Sequence, residues 1–350
     1  NRIGFGEGFK SMTINLKQLS KLLKLSPTTV SRALADYPDV SAKTRARVKQ
    51  MAIQQGYQPN PVARRLQKGK TETIGIVITP EQNYFSDTFF IDLLSGISNQ
   101  ITRAGYELIL GVASDEEHEM QSMRRMVEGK RVDGMILTLI REQDPRVGYL
   151  LDRDFPFVLY GRTRETRPYA FVDMDGKQAF EKACTYLAGL GHRRIALLNG
   201  EPGFMFPVGC REGYESGLFL SGLELDPDLI REWKHKDPSQ SSYRWTLELF
   251  KNDNPPTAIL FQTEAVNGIF KGLDELNLQP GKDVALIGYD DLEIARIHRP
   301  SLSVLRPQAR EAGQRVVNIL MEVIKGEDPG KFQEIHQVEM VIRETSLPPS

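Results

Sequence analysis

The sequence predicts an all-α helix-turn-helix head followed by an α/β body of two lobes. Three observations carry this: a charge asymmetry, two short capped helices near the start, and an alternation of apolar runs with amphipathic segments thereafter. The 350 residues suffice for two or three domains. The net charge of −1 hides a basic start. Met12 to Lys70 holds seven Lys and five Arg against Asp36 and Asp39, a net of +10; the first eleven residues add +1, leaving −12 for Thr71 to Ser350. A basic head on an acidic body is the electrostatic footprint of a nucleic-acid binder. A solvated charged face would give the same count, so the helix pattern has to decide.

The first helix is expected over Asn15 to Lys24. Asn15 caps it, with Gln18 in capping-box position, and Leu16, Leu19, Leu22 and Leu23 share one face. Ser26 then caps a second helix with Pro27 at its first position. So short a connection is the turn of a helix-turn-helix. Val30, Ala33 and Leu34 face inward, leaving Thr28, Thr29, Ser31 and Arg32 outside. The hydroxyls of Ser26, Thr28, Thr29 and Ser31 allow close approach to bases and phosphates, and Arg32 reaches a guanine edge bidentately. Plain solvent exposure is the competing reading. A third helix starts after Ser41, buries Val48, Met51 and Ala52, and ends at Gly56.

The next segment is capped by Asn60, starts helix at Pro61 and stops at Gly69. Two turns fall short of the ~12 residues an isolated helix needs in water, so it should order only against a partner. Leu66 beside Arg64 and Arg65 has the composition of a minor-groove wedge with phosphate contacts. A plain linker fits as well.

The body alternates strand candidates (74–78, 107–112, 134–139, 157–160, 195–199, 258–261, 284–288) with helical stretches such as 90–104, 178–190 and 244–251. That order implies parallel sheets flanked by helices, in two lobes. Ligands in such sheets bind beyond the carboxyl ends of strands. After the first strand lie Tyr84, Phe85, Asp87, Phe89 and Phe90; other strands are followed by Tyr160 and Arg162, by Asp173 and Asp175, by 201–211, by Gln262, Thr263 and Glu264, and by Tyr289, Asp290 and Asp291. Rings stack on the C–H faces of a polyol while carboxylates and guanidinium bind its hydroxyls.

Other chemistry lacks a footing. The sequence has no Walker loop, zinc-type cysteine pair or Gly-x-Ser-x-Gly elbow. His118-Glu119 lacks a second His, and Met120, Met123 and Met126 at helical spacing read as core. An enzyme is therefore not expected, nor a cofactor or metal. No apolar run reaches the roughly 20 residues of a membrane span, and no secretory signal opens the chain. With Cys184 and Cys210 as its two cysteines, the expected location is the reducing cytoplasm. Residues 1–11, Gly-rich and without a starting Met, read as a disordered extension or tag.

The stretches Leu25-Ser-Pro-Thr-Thr-Val-Ser-Arg-Ala-Leu34, Val40-Ser-Ala-Lys-Thr-Arg45 and Gly56-Tyr-Gln-Pro-Asn-Pro-Val-Ala-Arg-Arg-Leu66 closely resemble the lactose-repressor/galactose-repressor (LacI/GalR) family. The likeness continues, more weakly, to about Leu347. It implies a transcription regulator, a repressor of carbohydrate uptake or catabolism genes, whose body has two Rossmann-like lobes of the periplasmic-binding-protein type. It implies a head over 12–58, a hinge over 59–70 and a body over 71–347, the first lobe taking 71–187 and 308–336 and the second 188–305 and 337–347. Thr28 and Arg32 match base-contacting positions, as does Pro27, which brings no polar group. Asn15 and Ser31 match phosphate contacts, Leu66 the intercalating hinge leucine and Ala63 its neighbour. Arg211-Glu-Gly-Tyr214 and Gly288-Tyr-Asp-Asp291 resemble effector motifs, giving Arg211 and Asp290; Asp175 and Tyr160 match two further effector positions. Two departures stand out. Lys24 occupies the turn position where the family has Gly, and Thr263-Glu264 replaces Asn-Asp.

The expected assembly is a homodimer formed through the first lobe and reading a palindromic operator in double-stranded DNA. A sugar-like effector would alter the lobe angle, and with it the spacing of the hinges. A solute-binding transport protein would need a secretory signal and no basic head. A sugar-converting enzyme would need turnover chemistry.

Overall fold

In the computed structural model, residues 14–57, 70–79, 88–233 and 238–346 are described. The chain divides into two compact units, Asn1–Thr71 and Glu72–Ser350.

The first unit contains α1 (Leu16–Leu23), α2 (Pro27–Leu34) and α3 (Ala42–Gln54). Each begins where a side chain satisfies its free N–H groups. Asn15 and Gln18 form the reciprocal capping box, Ser26 accepts from Thr29 N, and Ser41 accepts from Thr44 N. Leu19, Leu23, Val30, Ala33, Val40, Val48 and Ala52 form the core, with Leu34 and Met51 half-buried against it. Leu22 departs from expectation and is 53% exposed. Ser20 is buried in its stead; its hydroxyl donates to Leu16 O at 2.6 Å, so a small residue sits where α1 meets its neighbours. Lys24 keeps the left-handed turn expected of glycine, at φ 55°, ψ 40°. A side chain there costs about 1–2 kcal/mol. Gly56 ends α3 at φ +60°.

The body holds two six-stranded sheets. The first lobe contains β1 (Thr73–Ile78), α4 (Thr88–Arg103), β2 (Glu107–Val112), α5 (Glu116–Glu128), β3 (Gly134–Leu137), α6 (Pro145–Leu151), β4 (Phe157–Tyr160) and β5 (Ala170–Met174). The second contains α7 (Gly176–Gly189), β6 (Ile195–Asn199), α8 (Met205–Leu220), β7 (Ile230–Glu232), α9 (Pro238–Phe250), β8 (Ala258–Gln262), α10 (Val266–Glu275), β9 (Ala285–Tyr289), α11 (Glu293–Ile297) and β10 (Ser303–Arg306). The chain then returns with α12 (Ala309–Ile324) and β11 (Gln333–His336) to the first sheet, and ends with β12 (Glu339–Val341) on the second.

The strand orders are β11-β5-β4-β3-β1-β2 and β12-β10-β9-β8-β6-β7. All pairings are parallel except β10 with β12. Both sheets reverse direction beside their first strand, which opens a crevice there. The six residues of β1 are all buried, as expected of a strand covered on both faces.

Helix α7 was expected in the first lobe. It packs instead on α8, where the carbonyl of Lys177 lies 2.1 Å from where a Cβ on Gly213 would be. The lobe boundary therefore falls at the end of β5, near residue 175. The sequence puts it later because β5 and α7 are joined without a loop. Strand β3 stops at Leu137 rather than 139, and Leu139 turns at φ +46°. Helix α9 begins six residues earlier than the apolar pattern suggests. Met123 and Met126 are core, at 1% and 3% exposure.

Candidate functional site

The head offers an exposed face on α2. Pro27 and Thr28 are exposed, while Thr29, Ser31 and Arg32 are half-buried. Ser26 and Thr29 bond each other through their hydroxyls at 2.8 Å. Asn15 is exposed at the start of α1, where its side chain already serves the capping box. Arg32 is held: its Nε and Nη2 donate to Asp39 at 3.2 and 2.8 Å, and its guanidinium carbon lies 4.9 Å from the Tyr37 ring centre. Asn60, Ala63, Arg64 and Leu66 of the expected hinge lie outside the described residues, as do Phe85 and Asp87 and the extension 1–11.

In the body the carboxyl ends of the two sheets meet. Met205 N donates to Ile140 O and Glu142 N donates to Gly203 O, each at 2.9 Å. Arg141 and Phe204 thus form an antiparallel bridge between the loops after β3 and β6. The β3 loop is braced from below. Arg146, 3% exposed, donates to Glu119 and Asp144 at 2.6 Å and to the carbonyls of Thr138 and Leu139. Arg141 closes the cluster on the second Glu119 oxygen at 2.9 Å. Burial alone would raise the Asp144 carboxyl, but Arg146 and then Arg141 outweigh it and hold it below the usual carboxylate range.

Three of the predicted residues, Phe89, Asp290 and Arg211, line two openings, the smaller of them beside this clasp. Phe89 and Asp290 line a cavity of 740 Å³; Arg211 and Glu142 line a smaller one of 300 Å³. Both fall within the range of small-molecule sites. Phe89 packs against Tyr160 with ring centres 5.8 Å apart, and Phe206 packs edge-on against Tyr289 at 4.6 Å. Tyr289, at the end of β9, is buried between the rings of Phe206 and Phe180. Burial pushes its phenol well up, and Tyr160, Asp290 and Asp173 lie close enough to push further. Asp173 is itself raised by burial against the opposing pull of Arg162, its partner at 2.5 Å. Asp290 sits at φ +77° with its N–H bonded to Leu305 O. A non-glycine residue in that region costs about 1–3 kcal/mol.

The neighbouring carboxylate has a different task. Asp291 is gripped by Arg343 at 2.8 and 2.9 Å and by Arg296, which makes it an anchor for the chain end. Arg211 is bound by Glu215 at 2.9 Å and Glu232 at 3.3 Å. Glu232 also accepts from Asn199 at 3.4 Å, and Asn199 accepts from Gln262 at 2.9 Å, giving a polar floor for the second lobe.

One expectation needs revision. Phe90 is 3% exposed and belongs to the core. With Leu93, Ile97 and Ile101 it forms the stripe of α4 that faces the sheet. Asp175 caps α7, accepting from Gln178 N at 3.0 Å. Thr263 opens the 3-10 turn Thr263–Ala265 that follows β8, so it stands at the crevice by position. Phe206, Glu232 and the Ile140–Glu142 clasp went unpredicted. Phe206 lies within the flagged 201–211 segment, whereas Glu232 ends an edge strand too short for any pattern.

The model for bacterial regulatory proteins of the lacI family matches residues 15–60, and that for a periplasmic binding protein-like domain matches 184–346. Over 344 residues the chain is 35% identical to the HTH-type transcriptional regulator AglR of Rhizobium meliloti (strain 1021), covering 96% of this chain and 95% of that protein. The chain belongs to the LacI family. Its fold is shared by the lac repressor dimer bound to operator and an anti-inducer, at TM-score 0.83, 22% identity, and coverage of 96% of this chain and 99% of that one. The CelR–cellobiose complex also shares it, at TM-score 0.73, 23% identity, and coverage of 95% and 100%. The LacI-family head accounts for the basic start of the sequence, and DNA is its partner. No described helix of this regulator is long and apolar enough to cross a membrane.

Proposed function

We propose that this LacI-family regulator is a homodimeric repressor of carbohydrate uptake or catabolism genes, controlled by a sugar-like effector bound between its lobes. The observation that carries the reading is the convergence at Tyr289. Aromatic rings and carboxylates from β4, β5 and the end of β9 gather where two sheets present their carboxyl ends to each other. Rings and carboxylates together suit the two faces of a sugar. A relative in fold, the CelR–cellobiose complex, holds a sugar, which supports the same class here.

In this reading α2 enters the major groove of each half of a palindrome, with Thr28 and Arg32 on bases and Asn15 and Ser31 on phosphates. Residues 59–70 carry the signal, Leu66 wedging the minor groove when the two hinges pair. The effector shifts the lobe angle in proportion to its differential affinity for the two states. The clasp between the β3 and β6 loops is the contact such a shift makes or breaks.

Thermal-shift titration of the full chain against a panel of mono- and oligosaccharides tests the ligand class. One sugar should raise the melting temperature and change operator affinity, and Arg211→Ala should abolish both effects while sparing operator binding by the sugar-free protein. No response across the panel, or an unchanged response in Arg211→Ala, removes the carbohydrate or the residue respectively.

A further inference from the structure

We propose that Asp39 and Tyr37, neither on the recognition helix, set base specificity by holding the Arg32 guanidinium end-on to a guanine. This rests on the reading of Arg32 as a base contact. Asp39 takes one edge of the guanidinium, the Nε and one proton of Nη2, at 3.2 and 2.8 Å. The outer edge, Nη1 with the second Nη2 proton, is the fork that matches guanine O6 and N7. The Tyr37 ring lies against the guanidinium face at 4.9 Å, a cation–π contact that fixes its plane. An Arg so held loses less rotamer freedom when it binds a base than an unbraced one.

The brace is itself braced. Arg45 of α3 donates to the carbonyls of Tyr37 and Val40 at 3.0 and 2.7 Å. Asp36, at φ +60°, pairs with Lys49 at 2.7 Å, and Val40 is buried in the head core. The loop that carries Tyr37 and Asp39 therefore has little freedom to move with Arg32.

Charge makes the same point. Asp36 and Asp39 are the two acidic residues between Met12 and Lys70, among twelve basic ones. A carboxylate near DNA phosphates opposes binding. The Arg32–Asp39 pair is also solvent-exposed, its side chains retaining 41% and 51% of their accessibility, so it contributes little to fold stability. Aiming the guanidinium gives that carboxylate a use that neither affinity nor stability supplies.

Selection of the full-length protein on a randomised DNA duplex library gives its preferred half-site, and single-base variants of that site then serve as probes. Arg32→Ala should erase one guanine preference and so mark the position. Asp39→Ala should lower the preference at that same position by about tenfold, leave the other positions unchanged, and keep or tighten non-specific duplex binding. Tyr37→Phe should be silent, and Tyr37→Ala should give a smaller loss at the same position. Tighter operator binding by Asp39→Ala with discrimination intact would show that the carboxylate masks Arg32, and overturns the proposal. So does a uniform loss at every position, the signature of a damaged fold. If Arg32→Ala leaves every base preference in place, the base-contact reading fails first.

Discussion

Head and body solve their problems at different distances along the chain. In the head, every cap is a contact between residues three apart, as with Asn15 and Gln18, Ser26 and Thr29, or Ser41 and Thr44. Its proposed reading face is a few consecutive residues of α2. In the body, the groups that gather around Tyr289 come from Tyr160, Asp173, Cys210 and Asp290, spread over more than a hundred positions. The head can therefore carry a local strain such as Lys24 without cost to its site. The body holds its site by long-range contacts, so single changes there should propagate.

The largest effect expected from this contrast is in the body. Arg146→Ala removes the main partner of the buried Asp144 and Glu119 carboxylates, leaving them only Arg141, and should cost about 3–5 kcal/mol. Asp144 gives the pH dependence. Its pKa is lowered in the fold, so its contribution is complete above the ordinary carboxylate range and lost as pH falls through the lowered value. Without Arg146, burial should raise it instead, so the deficit of the variant should be greatest at neutral pH and narrow on acidification. Denaturant melts at a series of pH values measure this, and a pH-independent deficit would contradict it. Next, Gly213→Ala should cost about 1–3 kcal/mol, because its Cβ would lie 2.1 Å from Lys177 O and α7 and α8 would have to separate. The same melts check it, and an unchanged midpoint would show that the helix pair can yield. The smallest effect is in the head. Lys24→Gly should stabilise it by about 0.5–1 kcal/mol by relieving the left-handed turn. Slower amide exchange confined to residues 16–54 would show this; spread into the body would break the contrast.

The pattern of what was legible follows the same line. The capping box, Pro27 at the start of α2, the stop at Gly56 and most strand positions were read directly. Leu22 and Phe90 were misread for a shared reason. Periodicity says which residues share a face, but neighbouring elements decide which face is covered. Ser20 displaced Leu22 from the head core, and the sheet beneath α4 claimed Phe90. The paired motif Asp290-Asp291 shows the limit most clearly. Adjacent, chemically identical and both lining the larger cavity, they diverge because Arg343, far along the chain, grips Asp291, while Asp290 sits in a left-handed turn at φ +77°.

The sequence by itself determined the architecture. Charge asymmetry, cap residues and the alternation of apolar runs are local properties, and they fixed a helical head on a two-lobed α/β body. Tertiary structure alone decided that α7 belongs to the second lobe, that the β3 and β6 loops clasp each other, and that Asp39 holds Arg32. These outcomes turn on packing between residues distant in sequence, or on the direction of a loop. Hydrogen bonds and ion pairs fall off within a few ångströms, so they register spatial neighbours and not chain neighbours.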